Sequence, residues 1–295
     1  MLLQDAIEGY LLFKSARVSP RTIETDKYVL SKFVDWYGNR EVSEVTAEDI
    51  RAFFAHEEER GMAASSISRF RTSLSAFYTW LSDPEVGLVD HHPVRAVPGP
   101  KIPKLKPKAL NQDEIEKLID ACENSKMPRR DKAIILFLLD TGCRASEMAG
   151  VRDCDIDFKR GRVKVIGKGS KERFVYLGRR ALSALWLYVK EERPQHAKPG
   201  DDHLFLVQTG YPMNRDVLRQ IFERRREEAG IHASPHMMRH SAAIARLRAG
   251  MDLISLQRML GHETLETTKI YLTALADEDV EQAAKRTSPS DNWRL

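Results

Sequence analysis

The chain has 295 residues, 42% of them hydrophobic and 31% charged, a size and balance suited to two globular domains with ordinary cores. Its longest apolar run, Ala133 to Leu139, is too short to span a bilayer, and the opening MLLQDAIEGY lacks the basic start and small-residue cleavage site of a secretory signal. Cys122, Cys143 and Cys154, odd in number and without CxxC spacing, argue against a disulfide or zinc framework and for a reducing, cytoplasmic setting. The formal net charge of +4 is unevenly spread: residues 1–100 hold 11 Lys and Arg against 15 Asp and Glu, the remainder 36 against 28. A basic C-terminal two-thirds is compatible with a polyanionic partner, and equally with a solvated surface.

Residues 1–92 are predicted to form a small four-helix domain if residues 2–14 are its first helix. Ser19 and Pro20 start the second helix, which carries Ile23, Val29, Leu30, Phe33, Val34 and Tyr37 on one side and stops at Gly38. Thr46 with Asp49 three residues on caps the third, which closes at Gly61. Ile67, Phe70, Leu74, Phe77 and Leu81 recur at helical spacing in the fourth. Five prolines between Pro93 and Pro107 remove donors and disfavour helix, so residues 93–108 are expected to be an extended linker. Its Lys101, Lys104, Lys106 and Lys108 suit a phosphate backbone as well as they suit a solvated spacer.

A second domain, 109–295, is expected to be mainly helical with one small antiparallel sheet. Two helices precede Gly142, a short helix leads into a β-segment, and strands Arg162–Ile166 and Glu172–Leu177 flank the turn GKGSK. From Arg179 the pattern reads as helix almost to the end.

Four stretches carry chemistry. In TGCRASE, Glu147 lies three residues after Arg144, on its own helical face, where a carboxylate can orient the guanidinium; an arginine at a buried helix end also serves as a carbonyl cap. Lys168 sits between two glycines at the hairpin tip, mobile and exposed; the spacing and the strand context both fail a phosphate-binding P-loop. SPHMMRHSAAIARLRAG places His236, Arg239 and His240 in the first turn of a helix, where the dipole already disfavours cations unless an anion is near. His236 and His240 are four apart, but Met237 stands where a zincin needs Glu and Arg239 would repel a cation, so no metal is expected. Finally, a helix from Asp252 ends at Gly261, His262 follows, and a further helix carries Tyr271. Two short helices about a glycine also fit a helix-turn-helix, and a lone tyrosine is often a core residue. Together, two arginines, a lysine, histidines and a late tyrosine suit a phosphodiester, because arginine forks bind phosphoryl oxygens bidentately and keep their charge.

With these motifs in this order, TGCRASE, GKGSKER, HMMRH and LGHETLETTKIY, the chain resembles the tyrosine recombinases of the phage-integrase and Xer type over nearly its whole length. The resemblance implies a helical, SAM-like core-binding domain followed by a catalytic domain. It implies that Tyr271 attacks a DNA phosphate to form a 3′-phosphotyrosyl link, that Arg144 and Arg239 clamp the non-bridging oxygens with His236 and His262 assisting, and that Lys168 protonates the leaving 5′-oxygen. Glu147 and His240 would stand behind these groups, and Lys101, Lys104, Lys106, Lys108, Lys171 and Arg173 would contact DNA. The link conserves the ester, so neither metal nor ATP is needed as cofactor. The implied partners are a double-stranded recombination site and a homo-tetramer, or a hetero-tetramer with a related recombinase, with no membrane. Val280, Ala283 and Ala284 form a weak apolar stripe that could dock on a neighbouring subunit. A type IB topoisomerase, which shares the chemistry, and a non-catalytic helix-turn-helix regulator are the alternatives.

Overall fold

Two of the helix starts in the first hundred residues follow from side-chain caps, at Ser19 and at Thr46. Thr46 and Asp49 form a reciprocal capping box, with the Asp49 carboxylate accepting from the Thr46 amide at 2.8 Å, and this fixes where α3 begins. The elements there are α1 (Leu3–Ser15), α2 (Pro20–Tyr37), α3 (Ala47–Glu59) and α4 (Ala64–Leu81). The computed structural model describes residues 1–102 and 107–292, with the backbone alone at 277 and 278. The chain divides into two compact units, residues 1–104 and 105–295.

In the first unit the spaced apolar residues of all four helices meet in one core, in which the Phe33 ring packs edge-on against Phe53 at 5.2 Å. Asp26 is buried within it but fully partnered: Lys14 Nζ lies 2.5 Å away and Ser73 Oγ donates at 2.6 Å. The expected linker starts later than residue 93. Pro93–Ala96 is a 3₁₀ turn, and Pro93, Val94 and Val97 are buried in this core, because the apolar side chains between the prolines gain more from burial than the chain gains by staying extended. Lys101 and Lys108 are exposed; Lys104 and Lys106 lie outside the described residues.

The second unit opens on α5 (Gln112–Asp120), capped by Asn111 and Glu114, then α6 (Pro128–Thr141) and the one-turn α7 (Ala145–Ala149). Strands β1 (Ile156–Asp157), β2 (Arg162–Ile166) and β3 (Glu172–Tyr176) form an antiparallel sheet in that order, with Val165 opposite Arg173. Beyond them come α8 (Arg179–Leu187), α9 (Arg215–Ala229), α10 (Pro235–Arg248), α11 (Leu253–Leu260), α12 (Leu265–Lys269), α13 (Asp277–Arg286) and α14 (Pro289–Asn292). The helical reading from Arg179 holds through the helical turns at Tyr188–Glu192 and Arg193–Gln195 and then fails before α9, where Pro199, Gly200, Gly210 and Pro212 break the backbone and isolated bridges such as Leu206–Pro212 replace helix. None of the described helices is long and apolar enough to cross a membrane.

Apolar residues of α6, the sheet, α8 and α9 make the main core, and a smaller cluster joins Ala243, Ile244, Leu256, Met259, Leu260 and Tyr271. Gly142 is the junction between them. It ends α6 in the left-handed region at φ +57, and a Cβ there would lie 2.8 Å from Leu260 Cδ2 and 3.3 Å from Ala242 Cβ. Gly142→Ala is therefore expected to destabilise the protein by about 1–3 kcal/mol from backbone strain and overpacking. An unchanged urea midpoint would contradict this packing.

Candidate active site

The site is built outward from one buried carboxylate. Glu147, 4% exposed, accepts from the Arg144 amide at 2.7 Å and from Arg144 Nη1 at 2.9 Å. Arg173 closes on the same group as a fork, Nη1 to Oε1 at 3.0 Å and Nη2 to Oε2 at 2.8 Å. Burial alone would raise the Glu147 pKa, but the hydrogen bonds from Arg173 and Arg144 outweigh it and the net shift is downward. Glu147 thus holds its charge beneath two arginines, and the exposed Arg144 side chain keeps further N–H groups free. Arg173, expected among the DNA contacts, is turned inward instead: its fork is spent on Glu147 and its Nε donates to the Met259 carbonyl at 2.8 Å.

Arg239, 4% exposed, is fastened by carbonyls rather than acids. Nη1 donates to Gly142 O at 2.6 Å and Nη2 to Leu260 O at 2.9 Å, the C-terminal ends of α6 and α11. Nη2 also lies 2.8 Å from His262 Nε2. Because a guanidinium only donates, His262 Nε2 must accept, which leaves its Nδ1–H for Thr268 Oγ1 at 2.8 Å. Burial, then the Arg239 and Arg144 charges, lower the His262 pKa to about 4. No carboxylate pairs with Arg239 among the described residues, and burial followed by the nearby Arg144 lowers its own pKa.

Tyr271 lies at the back of this cluster, 1% exposed. Its hydroxyl is 3.2 Å from His240 Nδ1, and its ring stacks on His262 at 6.3 Å. Burial raises the phenol pKa above 10, against the lowering pull of Arg239 and Arg144. His240 is itself lowered to about 4, by burial first and then by His236 and Arg239. His236, on the exposed side of the same turn, packs edge-on against His240 at 4.2 Å. The turn is capped by Ser234, whose Oγ accepts from the Met237 amide at 3.2 Å.

Arg144, Lys168, Lys171 and His262 line one open pocket of 670 Å³. The hairpin that carries Lys168 is closed by Gly167 N–H to Lys171 O at 2.8 Å, and its tip turns through Gly169 and Ser170 at φ +71 and +58. Arg239, His240 and Tyr271 stand behind the pocket, out of solvent. Thr268, which fixes the His262 tautomer, was not singled out in the sequence; its position six residues after His262 on a helical turn was the available signal. α12 is only five residues long and Tyr271 beyond it is core, so the helix-turn-helix reading of this segment lacks a recognition helix.

The phage integrase family model matches residues 108–278, and that of the phage integrase N-terminal SAM-like domain matches residues 3–88. The chain belongs to the phage integrase family of tyrosine recombinases. Its relatives include tyrosine recombinase XerD of Listeria monocytogenes serotype 4b (strain F2365), 33% identical over 94% of this chain and 97% of that one. Tyrosine recombinase XerC of Roseiflexus sp. (strain RS-1) is 32% identical over 91% of this chain and 89% of its own. Among solved structures, the Tn1549 transposon integrase in complex with a circular intermediate DNA shares the fold at TM-score 0.78 and 21% identity, covering 98% of this chain and 100% of that one.

The two lowered histidines make a pH prediction. Both are neutral in the folded protein down to about pH 4, whereas an unfolded chain takes up their protons near pH 6.5. Their contribution to stability is complete above about pH 6.5 and is lost as the pH falls from there toward 4. In an NMR titration the imidazole resonances of His240 and His262 should stay unshifted between pH 8 and 5.5. Midpoints near 6.5 would contradict the burial and tautomer described.

Proposed function

We propose that this protein is a site-specific DNA recombinase that cuts and rejoins duplex DNA through Tyr271. The observation that carries the reading is the charge imbalance: among the described residues Arg144, Arg173 and Arg239 gather about one carboxylate, Glu147, and Arg239 is buried with no acid paired to it. A buried cation without a counter-charge is costly, and a phosphodiester at Arg144 and Arg239 would relieve that cost. The relatives named as tyrosine recombinases support a DNA phosphate as that anion.

In this reading a phosphate entering the pocket takes up the free N–H groups of Arg144 and draws Arg239 and His262 from each other to its non-bridging oxygens. His236, exposed on the first turn of α10, adds a donor at the positive end of that helix. The Tyr271 oxygen attacks phosphorus, the bond to the 5′-oxygen breaks, and Lys168 supplies the proton that the leaving oxygen needs. The phenol's proton passes to solvent or a nearby base as the bond to phosphorus forms; the 3.2 Å contact of the hydroxyl with His240 Nδ1 belongs to the DNA-free state and is broken by the movement to the phosphate. Tyr271 is buried without DNA, so the segment from α12 onward must move for the hydroxyl to meet a phosphate. The ester is kept in the phosphotyrosyl link, and a 5′-hydroxyl can reverse the step with no metal and no ATP. Positive charge favours phenolate and transition state alike.

The domains would divide the work as a helical core-binding domain over residues 1–92 and a catalytic domain over 109–295, with Lys101, Lys104, Lys106, Lys108 and Lys171 against the DNA backbone. Four protomers would form the synapse in the cytoplasm. α13 is held within its own chain here by Arg248 to Asp279 at 3.1 Å and Arg286 to Ala249 O at 3.3 Å, few contacts for it to exchange for a neighbour's.

A suicide duplex nicked beside the cleavage point should trap a covalent adduct. Tyr271→Phe should abolish the adduct with DNA affinity retained; an adduct that survives the change would refute the nucleophile. Lys168→Ala should be slow on the ordinary phosphate and restored on a substrate with sulfur at the bridging 5′ position, since a thiolate leaves without a proton; absence of rescue would refute the acid. Relaxation of any supercoiled plasmid without a defined site would favour the topoisomerase reading.

A further inference from the structure

Arg173 has no part in the chemistry just described, yet its side chain makes three hydrogen bonds, as many as that of Arg239. It sits on β3 opposite Val165, below the hairpin that carries Lys168. Its fork grips Glu147, which in turn holds Arg144 at both amide and guanidinium. Its Nε grips the Met259 carbonyl at the end of α11, two residues before the turn to His262. The guanidinium also lies flat against Gly261: a Cβ there would sit 2.9 Å from Arg173 Cζ, and Gly261 has φ +67. At the hairpin base, a Cβ on Gly167 would meet Glu147 Oε1 at 3.3 Å and Arg173 Nη1 at 3.5 Å. One side chain therefore touches three separate segments, and each of the three carries one pocket-lining group: Arg144, Lys168 or His262.

We propose that Arg173 is a positioning residue that fixes the Lys168 hairpin, the Arg144–Glu147 turn and the Gly261–His262 turn in one register around the phosphate. The proposal rests on the recombinase reading. A lysine could not take its place, because an ammonium offers a point charge where the geometry uses a planar fork and a third donor, Nε–H, directed to a different segment. With the fork gone, the carboxylate retains Arg144 and the β2–β3 ladder keeps the hairpin closed, but the hairpin base and the α11 turn lose the anchor they share, and with it the aim of Lys168 relative to Arg144 and His262.

The test uses the full-length protein, with Arg173→Met, which keeps the stem, and Arg173→Lys, which keeps the charge. Both are assayed for adduct formation on the nicked duplex, for DNA affinity across a salt series, and on the 5′-bridging sulfur substrate. A misplaced general acid lowers cleavage on the order of 10²-fold. Both variants should show that loss while binding the duplex with unchanged affinity and an unchanged salt slope. The sulfur substrate should recover the share of the loss that comes from the misplaced Lys168, leaving a smaller deficit than on the ordinary phosphate, a response that a generally loosened fold would not give. Were Arg173 a phosphate contact instead, affinity would fall and the salt slope would drop by about 0.9. That result overturns the proposal, as do cleavage at the wild-type rate or a loss equally deep on both substrates. If Arg173→Met fails to fold, Arg173→Lys carries the same three readouts. Failure of the wild-type protein to form any adduct would instead refute the recombinase reading itself.

Discussion

The second unit is organised around a shortage of negative charge. Three guanidinium groups converge where the described residues supply one carboxylate, and the arrangement holds because the surplus is spread over fixed dipoles: the carbonyls of Gly142, Met259 and Leu260 at helix ends. Helix C-termini carry partial negative charge, so they stabilise a cation without neutralising it. A second acid in place of those carbonyls would satisfy Arg239 and leave a visiting phosphate nothing to compensate. The polar cluster thus combines order with an unmet demand for an anion, which is what pre-organised stabilisation of a charged transition state requires.

The fold delivers these groups from distant parts of the chain by simple means. The left-handed Gly142 turns the chain out of α6 so that its carbonyl meets Arg239, and Leu260 packs where a larger residue would collide. Ser234 starts α10 so that His236 falls in its first turn and Arg239 at the start of its second. Thr268, wholly buried, reads the tautomer of His262 and leaves Nε2 to accept from Arg239. The contacts at Gly142 and Leu260 are buried and those at Ser234 and Thr268 part-buried, so the site's geometry is tied to the same packing that keeps the unit folded. Tyr271 is lodged in the small apolar cluster, and as the proposed nucleophile it would be released only by movement of the segment that carries it.

Local signals made much of this legible in the sequence. The capping pairs Thr46–Asp49 and Asn111–Glu114, the Ser234–Pro235 start and the Gly142 stop all act within one helical turn, and the β2–β3 strands alternate at a period of two. The pairing of Arg144 with Glu147 followed from i,i+3 spacing in the same way. What the sequence hid was direction over distance. Arg173 stands beside lysines in a basic run and looks like a surface charge, and only its encounter with Glu147, 26 residues away, turns it inward. Val94 and Val97 were masked by prolines, and the burial of Tyr271 depends on α10 and α11 meeting, which no local pattern encodes.

The central claim is that Arg144, Arg239, His236 and His262 share a single phosphoryl group with Tyr271. The most direct measurement is a crystal structure of the protein with a nicked duplex and vanadate, which takes up the five-coordinate geometry of the transferring phosphorus. The expected result is vanadium bonded to the Tyr271 oxygen, its equatorial oxygens within hydrogen-bond distance of both arginines and of His236 and His262. Vanadate bound elsewhere, or Tyr271 still buried against His240 while the duplex fills the pocket, would contradict it.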